Sequence, residues 1–347
     1  MDNNQVNWYR SPIKRDALAE LTRKKNLLPL LHIFGVMSIS VVTGIFAFWA
    51  YKNLAWPFAA VAIYLHCTLY GFFGGGTGTH ELSHNTVFRS RILNDFFIRL
   101  LGTITYVNFV QFRGNHTRHH LHTTKPGVDL EVMLPITYKR TQWIWGFTFD
   151  LPAIKKVFPA MLRHCFGLRG GDSKQDNIVY PSDDPGDIRL MERWSRIILS
   201  VHLALAIVFV ATGNWILLFL VTLAPHSARW LAILTHQPQH LGMRGNVADW
   251  RQNTRTYLSG WFIRFIYWNM NYHVEHHMYA SVPFYHLPKL RKAIEFDLPV
   301  APKGLVATWR EIFDAMKRQR VDPGYFVTPE LPNTAAPWNN AILENQS

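Results

Sequence analysis

The chain has 347 residues, 48% of them hydrophobic and 14% aromatic, which excludes a disordered protein and allows a large core. Its net charge of +13 comes with no nucleic-acid recognition motif, and the basic residues flank apolar segments, so the charge is read as a membrane-surface and topology signal. The two cysteines, Cys67 and Cys165, form neither a disulfide framework nor a metal knuckle, and the mean hydropathy of −0.02 averages over apolar stretches that windows resolve.

Residues 1–27 form a basic N-terminal segment carrying Arg10, Lys14, Arg15, Arg23, Lys24 and Lys25. From Leu28 to Ala50 there is no Asp, Glu, Lys or Arg, and as a helix this stretch spans roughly 34 Å, enough for a hydrocarbon core of about 30 Å. After the turn Lys52-Asn53 a second span is predicted from Leu54 to Phe73, closing a helical hairpin. The positive charge before the first span places the N-terminus, and the residues after Phe73, in the cytoplasm. The apolar run from Phe96 to Phe112 is interrupted by Arg99 and is read as a re-entrant or interfacial helix. A loop rich in Gly, Asp, Ser and Pro over residues 167–185 leads to a second hairpin, predicted over 197–212 and 215–234, whose last span carries Pro225, His226 and Arg229.

The fold class expected is all-α: an integral membrane domain over residues 28–300 with two transmembrane hairpins, four spans in all, and a cytoplasmic helical cap that holds a metal site. Residues 301–347 form a cytoplasmic C-terminal tail that frays from Pro329.

Three histidine clusters stand out: His80 with His84, His116 with His119 and His120, and His273 with His276 and His277. On a helix, i, i+3 and i, i+4 side chains share a face, so each cluster can aim its imidazoles at one point. A lone buried histidine is more often a hydrogen-bonded core residue, and that is the reading for His32, His66, His164 and His202. Eight clustered histidines exceed what one tetrahedral zinc needs and suit two adjacent metals with open positions. His236, at the end of the fourth span, is the expected ninth ligand, preferred over His240 because Pro238 disturbs the turn between them. Ligating imidazoles donate their second N–H to a fixed acceptor, for which Asp129, Glu275 and Asn271 are candidates.

In these boxes, HELSH, HTRHH and HVEHH, the sequence resembles the membrane fatty acid desaturase and hydroxylase superfamily, and the surroundings of the third, YWNMNYHVEHHMY, are similar to its bacterial members. His236 matches the position of the family's additional histidine. The resemblance implies two iron ions, O2 as co-substrate, and an external electron donor, a ferredoxin or small cytochrome with its reductase. It implies an oxygen-dependent enzyme of the inner or plasma membrane that removes hydrogen from unactivated C–H bonds. A fatty acyl lipid desaturase is the first expectation, and hydroxylation of an acyl chain or small metabolite the alternative. A membrane metal transporter or sensor is a distant third, because transport calls for more ionisable groups at mid-membrane depth than these spans carry. Arg113, Arg118, Lys125, Lys139, Arg140, Arg251, Arg255, Lys289, Arg291 and Lys292 fall on the predicted side of the metals and are expected to face an acidic donor or anionic lipid.

Overall fold

A computed structural model describes residues 6–134, 140–168 and 184–343 of the chain. Among these residues the architecture is all-α, with isolated bridges in place of a sheet. The chain divides into two compact units: residues 26–114 with 138–233, and residues 1–25 with 115–137 and 234–347.

The first of these units is built on the long helix Leu27–Asn53 and the helix Trp56–Phe72. Ala47, Ala50 and Ala62 bury their small side chains with Ile216 and Leu220, which lets the backbones approach closely. His66 is a core residue as expected, its ring nitrogens 3.0 Å from Thr43 Oγ1 and 2.8 Å from the Leu220 carbonyl oxygen. The outward faces are apolar: Leu31, Phe34, Val42, Ile45 and Phe46 on one helix, and Phe58, Val61 and Leu65 on the other, are exposed. The helix Pro185–Ala211, whose N-terminus is capped by Asp184 accepting from Gly186 N at 2.7 Å, exposes Leu203, Ile207, Val208 and Val210 in the same way. Only 17% of the apolar window of each long helix is buried. A core helix of a soluble protein would bury that face, whereas a helix solvated by lipid leaves it outward.

The expected second span does not end at Phe73. The helix passes through a π-helical turn, Phe73–Gly78, directly into Thr79–Ser83, which carries His80. Such wide turns are rare and recur at functional sites.

The fourth expected span is not one helix. It runs as a π-turn Leu218–Thr222, a 3-10 turn Ala224–His226 and a short helix Trp230–His236. Pro225 lacks an N–H, and Ala228 takes a left-handed φ of 50° that ends helical geometry. The freed groups are paired again by a crossing segment: Asp150 N donates to the His226 carbonyl at 2.7 Å, and Ala228 N to that of Thr148 at 2.7 Å. Arg229 reaches Asp150 at 2.7 Å. The polar residues that make this stretch unsuited to a continuous apolar helix thus serve the break, in the way irregular backbone survives at membrane depth when protein satisfies it.

The run from Phe96 to Phe112 is likewise two helices, Arg91–Ile104 and the start of Phe109–Leu121. The chain turns so tightly between them that a Cβ on Gly102 would stand 2.5 Å from the Val107 carbonyl oxygen. The loop expected over 167–185 lies largely outside the described residues.

The other unit gathers short helices around a buried arginine. Arg251, fully buried, pairs with Asp249 at 2.8 Å and Asp297 at 3.0 Å. Its guanidinium lies 3.8 Å from the centre of the Tyr9 ring and donates to the carbonyls of Ala336 and Pro337. As far as Leu343, the C-terminal stretch expected to fray is therefore held in place. Val247 bridges Ile342, and Leu343 is buried with Val6 and Ala248. Its anchorage comes from long-range polar partners, which a local composition of Pro and Asn does not reveal.

Candidate metal centre

Within the second unit, six box histidines and one more converge. The last turns of Phe109–Leu121 present His116, His119 and His120, the six-residue helix His273–Met278 presents His273, His276 and His277, and the turn after Gln237–Gln239 presents His240. Their ring nitrogens fall into two groups. His116, His120 and His276 form one and His119, His240, His273 and His277 the other, each with ligand atoms within 4.8 Å of one another. Six of these seven side chains are buried and His120 is half-buried. In the remaining unit, His80 and His84 stand as a pair with ring centroids 5.3 Å apart.

The tautomers are set from behind. His119 Nδ1 lies 2.8 Å from Asp129 Oδ2, His116 Nδ1 is 3.1 Å from Glu131, and His240 Nδ1 is 2.9 Å from the Asn253 carbonyl oxygen. His80 Nδ1 is 3.1 Å from Glu81 Oε1. With the proton held at Nδ1, each Nε2 keeps its lone pair. Yet Nε2 of His116 is 3.1 Å from Nε2 of His120, and Nε2 of His240 is 3.1 Å from Nε2 of His273. His273 accepts at Nδ1 from Gln239 Nε2, 3.0 Å away, so its own proton bridges to His240 at Nε2, and a cation taken between such paired nitrogens replaces the proton with coordination. The donor set therefore fits two metal ions: all imidazole, closely spaced, with carboxylates behind it.

Asp129 takes the expected place, and its carboxylate also accepts from the backbone N–H of Thr124 and Glu131. Among the described residues, no polar contact joins Glu275 or Asn271 to a box imidazole. Glu275 binds Thr256 and, at 2.6 Å, Arg291, and Asn271 donates to the Tyr257 carbonyl, so both brace the loop that carries the third box. Glu131, Gln239 and Thr123, the last 3.3 Å from His277 Nδ1, are supports that the sequence reading did not single out.

The ninth position also differs. His236 lies outside both groups, its ring packed on Tyr267 with centroids 4.9 Å apart, while His240 joins His119, His273 and His277. Pro238 starts a 3-10 turn over Gln237–Gln239 instead of spoiling a helix, and that tighter turn carries His240 into the group.

Of the basic residues expected to face a donor, three are inside. Arg251, Arg255 and Arg291 are buried, paired with Asp249 and Asp297, with Glu311, and with Glu275. Lys289 and Lys292 are exposed, Arg113, Arg118 and Lys125 half-buried, and Lys139 and the side chain of Arg140 lie outside the described residues.

Burial pushes His240 down to about 3 and His277 well below the ordinary imidazole range, so both offer lone pairs at neutral pH. Unfolded, each binds a proton below about pH 6.5, so the unfolded chain holds more protons than the folded one and stability falls on acidification. For His119 burial opposes the charge, but Asp129 and Glu131 outweigh it and raise the pKa, adding stability at low pH that is lost as pH rises through the folded value. Glu131, raised by burial to about 6, acts in the same sense as His119, whereas His122 and His286 are lowered by burial like His240 and His277, so with four groups lowered against two raised the chelated protein should melt at a lower temperature at pH 5.5 than at pH 7.5. An equal or higher melting temperature at pH 5.5, read by scanning fluorimetry in detergent, would contradict this.

The comparisons agree with the histidine pattern. A family model of fatty acid desaturases matches residues 53–309. A sphingolipid delta(4)-desaturase/C4-monooxygenase of Mus musculus is 24% identical over 324 residues, covering 87% of each chain. An sn-1 acyl-lipid omega-3 desaturase (ferredoxin) of Synechocystis is 25% identical over 291 residues, covering 76% of this chain and 74% of the relative.

Proposed function

This chain belongs to the fatty acid desaturase family and is a lipid-desaturating oxidoreductase, and on that premise we propose that its histidines hold two iron ions that, with O2, desaturate a long hydrocarbon chain. The observation that carries the reading is the convergence of seven buried or half-buried imidazoles into two groups, with Nε2 atoms facing at 3.1 Å in each. The ligand set we assign is His116, His120 and His276 on one side and His119, His240, His273 and His277 on the other. His80 and His84 complete it by the box pattern of the family. When bound, the metals supply the two-electron reduction of O2 and the oxidising power to take hydrogen from an unactivated carbon.

The chain's own residues position and protect. Asp129 and Glu131 hold His119 and His116 in one tautomer and orientation. Arg291 and Thr256, through Glu275, fix the short helix of the third box. Burial of these imidazoles keeps bulk water from competing with substrate and oxygen. The outward apolar faces of the long helices support a membrane location, with two hairpins and the metal-bearing residues at the cytoplasmic surface according to the positive charge before Leu27. The substrate is membrane-borne: an acyl lipid or a sphingoid chain, the classes named for the relatives. Hydroxylation is the second reading, since the mouse relative is named for both reactions.

Expression in a host that lacks this gene, followed by lipid analysis, tests the proposal. A new double bond or hydroxyl in a host lipid, dependent on oxygen and on bound iron, is the expected result. Unchanged lipids in cells that accumulate iron-loaded protein and supply a reductant would refute it.

A further inference from the structure

Trp8 is half-buried in the N-terminal segment and stacks on Trp250, with ring centroids 4.5 Å apart and planes 5° from parallel. Trp250 is only 2% exposed. Its Nε1 donates to Thr123 Oγ1 at 3.2 Å, and that hydroxyl lies 3.3 Å from His277 Nδ1 while donating to the His119 carbonyl at 2.7 Å. The Trp250 and His277 rings are 6.1 Å apart. A continuous run of π systems and hydrogen bonds thus leads from a half-buried indole to the imidazole of His277 in the second histidine group and to the backbone of His119. Packing alone explains an apolar lid but not the polar link of Trp250, through Thr123, to a metal-binding imidazole.

The mouth of this run is cationic. Arg10 is exposed, with its guanidinium 5.8 Å from the Trp250 ring. Trp8 Nε1 donates to the Leu121 carbonyl at 3.0 Å, and Leu121 is flanked in the chain by Arg118 and Lys125. A carrier with an acidic face would be steered here, and encounters of this kind use small, salt-sensitive interfaces.

We propose that the Trp8–Trp250 stack is the electron entry point of this enzyme and that a small acidic one-electron carrier docks over Trp8 and Arg10. The proposal rests on the reading that the histidine groups hold redox metals. At each encounter the carrier is oxidised by one electron and the metal centre reduced by one. The indoles couple the two and are not themselves oxidised. Two encounters and two protons from water, together with the two hydrogens taken from the substrate, reduce one O2 to two waters.

The test is stopped-flow reduction of the iron-loaded, full-length enzyme in detergent by two reductants: an acidic plant-type ferredoxin, and reduced methyl viologen, a small cation that needs no docking face. Trp8→Leu and Arg10→Glu are each expected to lower the second-order rate constant with ferredoxin at least tenfold at low salt. Iron content and the viologen rate should stay within twofold of the unmodified enzyme, and Trp8→Phe, which keeps a stacking ring, should retain most of the ferredoxin rate. A ferredoxin rate unchanged in Trp8→Leu overturns the proposal, as does an equal loss with both reductants, which would make Trp8 a structural residue. Iron that viologen cannot reduce in the unmodified enzyme would defeat the redox-metal reading itself, so the two failures are told apart.

Discussion

Alanine at His240 is expected to abolish turnover, by more than about 100-fold, and to remove about half of the bound iron, whereas alanine at His236 should leave most of both. The geometry sets this order. His240 Nε2 stands 3.1 Å from that of His273, and its Nδ1 is fixed by the Asn253 carbonyl, so its loss opens one of four positions in a group that has no spare imidazole. His236 lies outside both groups and against Tyr267. Replacing His119, His273 or His277 should copy the His240 result. The checks are iron per chain by plasma mass spectrometry and product formed in the host lipids. Loss of iron from His236→Ala with retention in His240→Ala would restore His236 as the ninth ligand.

The second large effect is on stability. Arg251→Met should destabilise the protein by about 3–5 kcal/mol, because Asp249 and Asp297, both essentially without solvent exposure, would be left as buried carboxylates without their cation. The same guanidinium holds Tyr9 and the carbonyls of Ala336 and Pro337, so both ends of the chain lose their tether together. Adding Asp249→Asn and Asp297→Asn to Arg251→Met removes the uncompensated charges and should recover part of the loss. Urea denaturation of detergent-solubilised protein, followed by tryptophan fluorescence, measures both variants. A change below about 1 kcal/mol for Arg251→Met would mean that the buried network contributes little beyond what packing provides.

The features legible in one dimension are local or periodic. A charge-free run of apolar residues from Leu28 to Ala50 can only be satisfied by a helix in an apolar surrounding, and the i, i+3 and i, i+4 spacings of the boxes place their imidazoles on one helical face whatever packs against them. The all-α class and the shared faces of the box histidines followed from those constraints. Where separate segments meet depends instead on packing in three dimensions. His240 enters the second group only because a 3-10 turn at Pro238 replaces an α-turn, a change of a fraction of a turn that spacing rules do not resolve. The break at Pro225 is stable only because the chain near Asp150 crosses there with free donors and a carboxylate. Arg251, Arg255 and Arg291 read as surface cations in one dimension, yet each finds a carboxylate within or far along the chain and is buried with it. Charge has no periodicity that reports burial, so the partner, not the residue, decides whether an arginine steers a ligand or holds a core.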